Sequence, residues 1–263
     1  MWLADTKDGK SSPLCIYIHG GGFRGGDKRV NASVMKPYLE NGISFASMNY
    51  RLTNGGEFPY PTAMHDAARG LQFIRSKAKH WNIDPERIVC YGGSAGAGIS
   101  LWLAFHDDLA DPESDDPVAR KSTRILAAGS TGGQSTYDMR TFREWFGVPD
   151  LPVHDAFFDF YAIQDGESAD TPRVARLAED ASPINHLSPD DVPVYMSYSR
   201  ENSPVYRDTE PGAWVHHPLL GLKLKEAMNK LNLKCYVSYP GHEERTYPTM
   251  TAFLIEKLSA PTP

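Results

Sequence analysis

The sequence predicts an α/β fold in which a doubly wound, mostly parallel sheet is covered by helices on both faces. Short apolar segments rich in β-forming residues alternate along the chain with longer segments of helical periodicity. The apolar segments are continuously hydrophobic, which is typical of parallel strands buried on both faces. The length of 263 residues suits one large domain, so we expect a single domain over residues 1–263.

Six segments are predicted as strands: residues 14–19, 43–50, 87–92, 124–130, 193–199 and 234–239. Helical spacing of apolar residues is clearest in residues 61–81 and 217–231. Repeated strand–helix–strand units imply right-handed crossovers. Predicted strands and helices therefore alternate along the whole chain, with a single interruption.

The interruption lies between the strands 124–130 and 193–199, which are about sixty residues apart, more than one crossover helix needs. Its aromatic residues within 142–161 are Phe142, Trp145, Phe146, Phe157, Phe158, Phe160 and Tyr161. We interpret residues 131–180 as a small cap insertion over the C-terminal edge of the sheet. An elaborated helical crossover packed on the core is the alternative.

Composition excludes several classes of partner. The net charge is −6 and no block of Lys and Arg is present, so a nucleic-acid partner is not expected. No apolar run approaches the roughly 20 residues of a membrane helix, so we expect no membrane partner. A small-molecule substrate is the expected partner, and a homo-oligomer is left open.

The cysteines favour a reducing compartment. Cys15, Cys90 and Cys235 each fall inside a predicted strand, as expected for buried free thiols. Residues 1–12 contain no apolar segment of a secretion signal, so the expected location is the cytoplasm. No CxxC or HExxH motif occurs, and we expect neither a metal nor a cofactor.

Ser94 is the candidate nucleophile. It lies in Gly92-Gly93-Ser94-Ala95-Gly96, between the strand 87–91 and a following helical segment. G-x-S-x-G in this setting is typical of a nucleophile on a sharp, strained turn, because only glycine avoids collisions at the flanking positions. The helix N-terminus offers free N–H groups to a developing oxyanion. A glycine-rich structural turn is the alternative.

A second glycine-rich loop supports the nucleophile. The strand 14–19 ends in His19-Gly20-Gly21-Gly22-Phe23, where adjacent glycines let backbone N–H groups approach a substrate. A phosphate-binding loop is disfavoured, because Asp27 stands where such a loop needs Lys. His19 is expected to brace this turn.

His242 is the candidate general base. It follows the last predicted strand in Tyr239-Pro240-Gly241-His242, and from there it could reach across the sheet edge to Ser94. The remaining histidines fit less well. His216 and His217 open a helix and are interpreted as caps or surface residues.

Taken together, HGGGF, NYRL, NIDPERI, GGSAGAG and PGH resemble the α/β-hydrolase superfamily, in particular its esterase branch related to hormone-sensitive lipase. The resemblance spans nearly the whole chain. It implies hydrolysis of carboxylic esters through an acyl-enzyme without metal or cofactor. It implies Ser94 as nucleophile, His242 as base, and the N–H groups of Gly21, Gly22 and Ala95 as the oxyanion hole.

The chain departs from this family in the acid of the catalytic triad. An Asp is expected after the strand 193–199, but the loop reads Arg200-Glu201-Asn202-Ser203-Pro204. A carboxylate holds the histidine tautomer and stabilises the imidazolium, whereas asparagine does only the first. Three assignments stay open: Glu201 from a shifted loop, Asn202 alone, or a distant carboxylate such as Asp208 or Asp165.

The N-terminal part departs from the family as well. The family has a strand before the one that residues 2–4 seem to continue, so the first edge of the sheet is expected to be missing or reduced. The large N-terminal lid of many relatives is also not expected. An open site with only the 131–180 insertion as cover favours short acyl groups.

The resulting prediction is a serine carboxylesterase that acts on short-acyl esters. Two alternatives remain. An arylformamidase or small amidase would use the same groups on a different bond. A catalytically impaired hydrolase-fold binding protein would explain the missing aspartate.

Overall fold

A parallel sheet forms the centre of the molecule. A computed structural model describes residues 1–6 and 9–260. In these residues the strands are β1 (Ser12–Ile18), β2 (Ser44–Met48), β3 (Ile83–Gly93), β4 (Ala128–Thr131), β5 (Val194–Ser197) and β6 (Cys235–Ser238). The helices are α1 (Ala32–Glu40), α2 (Thr62–Lys77), α3 (Ala95–Phe105), α4 (Met139–Phe146), α5 (Ala156–Phe160), α6 (Pro172–Ala181), α7 (Pro211–Trp214), α8 (Pro218–Lys230) and α9 (Met250–Ser259).

The strand order determines where a site can form. The sheet runs β2-β1-β3-β4-β5-β6, and each neighbouring pair is parallel. The connection from β1 leads to one edge of the sheet, and the connection from β3 leads towards the other. The carboxyl ends of β1 and β3 therefore flank the topological switch point, where open α/β sheets bind their ligands.

The two faces of the sheet are both buried, as the continuous apolar strands predict. On one face, Leu14 and Ile16 of β1 lie in the same apolar cluster as Leu71 of α2 and Leu224 of α8. Cys15 faces the other side, in a cluster with side chains of α1 and α9. The predicted doubly wound α/β sheet is confirmed.

The three thiols behave as predicted from their positions. Cys15, Cys90 and Cys235 are buried and free. Burial raises the pKa of Cys90 and of Cys235 to about 12. These cysteines therefore act as small core residues.

The edge beyond β2 is reduced in the described residues. Trp2 forms an isolated antiparallel bridge with Phe45, with N···O distances of 2.7 and 2.8 Å in the two directions. The two rings pack at a centroid distance of 6.0 Å. Residues 2–4 therefore pair with the sheet through one residue instead of forming a strand.

The segment between β4 and β5 contains α4, α5, α6 and a 3₁₀ turn, Pro183–His186. Phe160 stacks on Phe23 of the loop after β1 at 4.4 Å, and its carbonyl accepts a hydrogen bond from the Tyr60 N–H at 2.7 Å. Most of its aromatic side chains are buried, whereas Phe158 is 39% exposed. The segment thus packs against the switch point, and its role as a cap stays a prediction.

Among the described residues, no helix combines the length and the apolar character needed to cross a membrane.

Candidate active site

Ser94 lies on a strained turn between β3 and α3. Its backbone has φ 49° and ψ −116°, a conformation that non-glycine residues rarely adopt. The Ser94 N–H donates to the Thr131 carbonyl at 2.9 Å, and the Ser94 carbonyl accepts from the Gly98 N–H at 3.0 Å. Neighbouring strand and helix therefore hold the strained residue in place.

The glycines on either side of the turn are required by close backbone contacts. A Cβ added at Gly92 would overlap the Gly96 backbone and the Ile18 carbonyl oxygen. One added at Gly96 would overlap the same Ile18 carbonyl. At Gly93, in contrast, a Cβ would meet no atom within 4 Å. The first and last glycines of G-x-S-x-G thus let β1 and α3 approach each other.

The loop after β1 lies beside Ser94. A Cβ at Gly20 would stand 2.6 Å from the Gly93 carbonyl oxygen, so the two loops touch through their backbones. Gly21 and Gly22 have φ of 111° and 60°, which turns the chain in a way that favours glycine. His19 is buried and stacks on Tyr50 at 4.4 Å, which agrees with its predicted bracing role.

The three predicted oxyanion donors share one cleft with Ser94. Gly21, Gly22 and Ala95 all line it. Within residues 1–6 and 9–260, the N–H groups of these three residues donate no hydrogen bond. Ala95 is also the first residue of α3, where the helix dipole favours negative charge. The arrangement can therefore stabilise an oxyanion on a carbonyl held at Ser94.

The histidine bonded to Ser94 is His216. The Ser94 Oγ and the His216 Nε2 are 2.8 Å apart. The other ring nitrogen, Nδ1, is 2.9 Å from the Gly212 carbonyl oxygen. A carbonyl only accepts, so Nδ1 carries the proton and Nε2 accepts from the Ser94 hydroxyl. This tautomer is the one that a general base for Ser94 requires.

The short helix α7 positions His216. The Gly212 carbonyl lies four residues before His216, and the Nδ1–H takes the place of a helical backbone N–H on that carbonyl. The next residue, His217, caps α8: its Nδ1 accepts from the Leu219 N–H at 3.1 Å. Its Nε2–H donates to the Ser203 carbonyl at 2.8 Å. The interpretation as a cap is right for His217 and wrong for His216.

The structure does not bring His242 to Ser94, which corrects the predicted pairing. The backbones of His242 and Tyr239 form a small bridge with N···O distances of 2.8 and 3.1 Å. The His242 ring stacks on Tyr239 at 5.1 Å and is exposed. The tight turn after β6 therefore holds this imidazole at the surface, in a depression with Gly241 and Glu243, apart from the cleft of Ser94.

None of the carboxyl or amide groups proposed for the triad acid occupies the Nδ1 position, because the Gly212 carbonyl does. Glu201 and Asn202 are exposed, and Glu201 borders a separate depression beside His217. Asp165 and Asp208 are exposed as well. The expected histidine partner is thus supplied by the backbone of α7.

A different carboxylate lies beside this backbone. A Cβ added at Gly212 would be 2.9 Å from the Glu210 Oε2, so the Glu210 side chain lies against the Gly212 peptide. The sequence did not indicate Glu210, because it lies eight residues after Asn202, the position where the triad acid is expected. The turn at the start of α7 folds the Glu210 side chain back against Gly212, the residue whose carbonyl accepts from His216.

The cleft has a volume of about 360 Å³. Its apolar walls come from Phe23, Tyr137, Phe157 and Val215. His154 adds a polar group: its Nδ1 accepts from the Ala156 N–H at 3.1 Å, which leaves Nε2–H as a donor. Burial lowers the pKa of His154, so the neutral ring is favoured.

Comparison with solved structures agrees with this fold. A truncated carbohydrate esterase from gut microbiota matches with a TM-score of 0.71 and 19% identity, over 98% of this chain and 90% of that chain. The acetyl ester-xyloside bifunctional hydrolase of Caldicellulosiruptor lactoaceticus matches with a TM-score of 0.67 and 24% identity, over 90% of this chain and 75% of that chain. The chain therefore has the α/β-hydrolase fold that its motifs suggested.

The curated relatives are longer proteins, of which this chain matches only a part. The probable carboxylic ester hydrolase LipM of Mycobacterium tuberculosis is 27% identical over 196 residues, which are 73% of this chain and 42% of that protein. Gut esterase 1 of Caenorhabditis elegans is 31% identical over 156 residues, which are 56% of this chain and 27% of that protein. The chain thus spans less than half the length of these relatives.

A family profile matches a larger part of the chain. The BD-FAE profile covers residues 2–208, which include both glycine-rich loops and Ser94. His216 and His242 both lie beyond the matched residues. Since the match extends over more than half of the 263 residues, the chain belongs to the BD-FAE family.

Proposed function

We propose that this chain is a serine carboxylesterase that hydrolyses short-acyl esters, with Ser94 as nucleophile and His216 as general base. The hydrogen-bonded series Ser94 Oγ–His216 Nε2, His216 Nδ1–Gly212 O carries the proposal. It supplies a base within 2.8 Å of the nucleophile and an acceptor that orients the base. The esterase names of the relatives support the same reaction class.

In the first half of the reaction, the Ser94 oxygen attacks the ester carbonyl as its proton passes to Nε2 of His216. The new oxyanion meets the N–H groups of Gly21, Gly22 and Ala95, which line the cleft. The intermediate then collapses, the bond to the alcohol oxygen breaks, and His216 returns the proton to the leaving alcohol. An acyl group remains on Ser94.

In the second half, water takes the place of the alcohol. His216 removes a proton from this water as the oxygen attacks the acyl carbon, and the same oxyanion donors stabilise the charge. The bond to Ser94 breaks, and the proton on His216 returns to the Ser94 oxygen. The carboxylic acid leaves, and the resting tautomer of His216 is restored.

The imidazolium formed in each half needs a negative neighbour. The Gly212 carbonyl fixes the tautomer and offers only its dipole, whereas an aspartate would add a full charge. The Glu210 carboxylate beside the Gly212 peptide is the candidate for that charge. Because the Glu210 side chain is exposed, we expect a modest contribution, on the order of 1 kcal/mol or less.

The size of the cleft supports short acyl groups. Phe157 and Ala156 of the insertion line the same cleft of about 360 Å³ as Ser94, which leaves little room for a long acyl chain. We expect p-nitrophenyl acetate and butyrate to be cleaved with a higher kcat/KM than p-nitrophenyl decanoate. A faster reaction with the decanoate would contradict the preference for short acyl groups. It would not affect the assignment of Ser94 as the nucleophile.

The experiment that tests the reaction class compares an activated ester with its matched amide. An esterase cleaves the ester faster, and a higher kcat/KM on the amide would assign an amidase. A Ser94→Ala variant serves as the control. Ester hydrolysis at the wild-type rate in Ser94→Ala would contradict Ser94 as the nucleophile. No ester hydrolysis by the wild type, together with no labelling of Ser94 by a fluorophosphonate, would favour a binding protein.

The buried thiols support a further proposal about location. Cys15, Cys90 and Cys235 are free, which suits a reducing compartment, and we infer the cytoplasm. Fractionation of cells that express the untagged protein tests this directly.

A further inference from the structure

A group of potential metal ligands lies away from the cleft of Ser94. One ligand atom each of His106, Asp180 and His186 lies within 4.8 Å of the other two. His106 follows α3, Asp180 is in α6, and His186 ends the 3₁₀ turn. The 11 residues of α3 separate His106 from Ser94, a length of about 16 Å at 1.5 Å per residue.

The hydrogen bonds of the two imidazoles leave one nitrogen free on each. His106 Nδ1 donates to the Asp107 carbonyl at 3.1 Å, so its Nε2 carries a lone pair. His186 Nε2 donates to the Asp180 carbonyl at 2.6 Å, so its Nδ1 carries a lone pair. Backbone carbonyls that fix the tautomer in this way are the usual outer partners of metal-binding histidines.

The carboxylate is held by a similar outer contact. Tyr60 Oη donates to Asp180 Oδ2 at 2.7 Å, which leaves Oδ1 available as a ligand. Packing also restricts the orientation of the two imidazole rings. His106 stacks on the buried indole of Trp102 at 4.0 Å, and its centroid is 4.8 Å from that of His186. Neighbouring groups therefore hold all three side chains in place around one point.

We propose that His106, His186 and Asp180 bind a zinc ion. Two imidazoles and one carboxylate are a common zinc set, with water in the fourth position. Tetrahedral bonds of about 2.0–2.1 Å place ligand atoms about 3.3 Å apart, so the side chains need to draw together by at most about 1.5 Å. No short sequence motif marks this set, because its ligands are dispersed between residues 106 and 186.

The site would join parts of the chain that are far apart in sequence. His106 ends the helix that begins at Ser94, whereas Asp180 and His186 belong to the end of the long β4–β5 segment. Zinc bound only by the folded chain raises the unfolding temperature by mass action. The proposed role is therefore to fasten this segment to α3.

Isothermal titration with Zn²⁺ tests the site, and it is done in a His216→Ala background so that the imidazole at Ser94 does not bind the metal. We expect one Zn²⁺ per chain with micromolar affinity and a rise in Tm. His106→Ala or His186→Ala should weaken binding at least tenfold, on the order of the losses seen when metal sites are perturbed.

Two further variants separate metal binding from folding. Asp180→Asn keeps an oxygen that accepts from Tyr60 but lacks the charge, so it should weaken binding while the circular dichroism spectrum is retained. His80→Ala removes an exposed imidazole outside the cluster and should bind as the parent does. The absence of saturable binding in the parent, or equal affinity in Asp180→Asn, His106→Ala and His80→Ala, would overturn the proposal.

Discussion

The Ser94 hydroxyl donates to Nε2 of His216 at 2.8 Å, and this histidine precedes α8 instead of following the last strand. Its Nδ1–H donates to the Gly212 carbonyl at 2.9 Å. A backbone carbonyl cannot be protonated at ordinary pH, so the tautomer needed for catalysis is maintained without a carboxylate. The missing aspartate in the loop after β5 is thus compatible with an intact Ser–His pair.

Glu210 should increase the rate through its charge. Its carboxylate lies against the Gly212 peptide, so Glu210→Gln should lower kcat about twofold to fivefold, a free-energy change of about 0.5–1 kcal/mol. The difference should shrink at high ionic strength, because exposed charges are screened. Steady-state kinetics on p-nitrophenyl acetate at two salt concentrations measure both effects.

Glu201→Gln and Asn202→Asp are the matched controls, since both residues are exposed in the same loop. We expect kcat within twofold of wild type for each. A collapse of kcat in Glu201→Gln with no change in Glu210→Gln would instead make Glu201 the acid.

The turn around Ser94 should not tolerate a side chain at Gly96. A Cβ there would overlap the Ile18 carbonyl, so Gly96→Ala should lower the free energy of unfolding by about 3 kcal/mol or more. Gly93→Ala is the control, because a Cβ at Gly93 meets no atom within 4 Å. Urea unfolding of both variants measures the difference, and equal stabilities would refute the packing argument.

Stability should fall as the pH is lowered through the usual pKa of histidine. Burial lowers the pKa of His217 below its usual value of 6.5, so the unfolded chain binds the proton more readily. The contribution is complete above about pH 6.5 and is lost as the pH falls towards the lower pKa of the folded state. Burial also lowers the pKa of His65 and of His154, so these two histidines add to the same loss of stability at low pH.

Denaturant unfolding between pH 7.5 and 5.5 tests this dependence. His217→Asn keeps a side-chain acceptor for the Leu219 N–H and removes the titrating group, so its stability should change less steeply with pH. A slope as steep as that of wild type would show that His217 does not contribute.

The strands, both glycine-rich loops and the sharp turn at Ser94 could be predicted because their signals are local. Continuous apolar runs identify buried parallel strands, and the positions of Gly92 and Gly96 reflect backbone contacts that admit no side chain. The burial of the three cysteines could be predicted for the same reason, because each lies within one of these apolar runs. Each of these features depends on a few neighbouring residues.

The partner of Ser94 could not be predicted in this way. His216 and His217 are adjacent, and one binds Ser94 while the other caps α8, depending only on how α7 turns the chain. One signal was available: residues 198–217 follow β5, so they begin at the same sheet edge as Ser94. In the family that the motifs resemble, the triad histidine follows the last strand, and this order favoured His242 instead.

The most direct measurement compares His216→Ala with His242→Ala in ester hydrolysis, with folding checked by circular dichroism. We predict that kcat/KM falls by about 10³-fold or more in His216→Ala, as expected when a general base is removed. In His242→Ala it should stay within about twofold, because that exposed imidazole does not reach the cleft. A near wild-type His216→Ala together with an inactive His242→Ala would contradict the account.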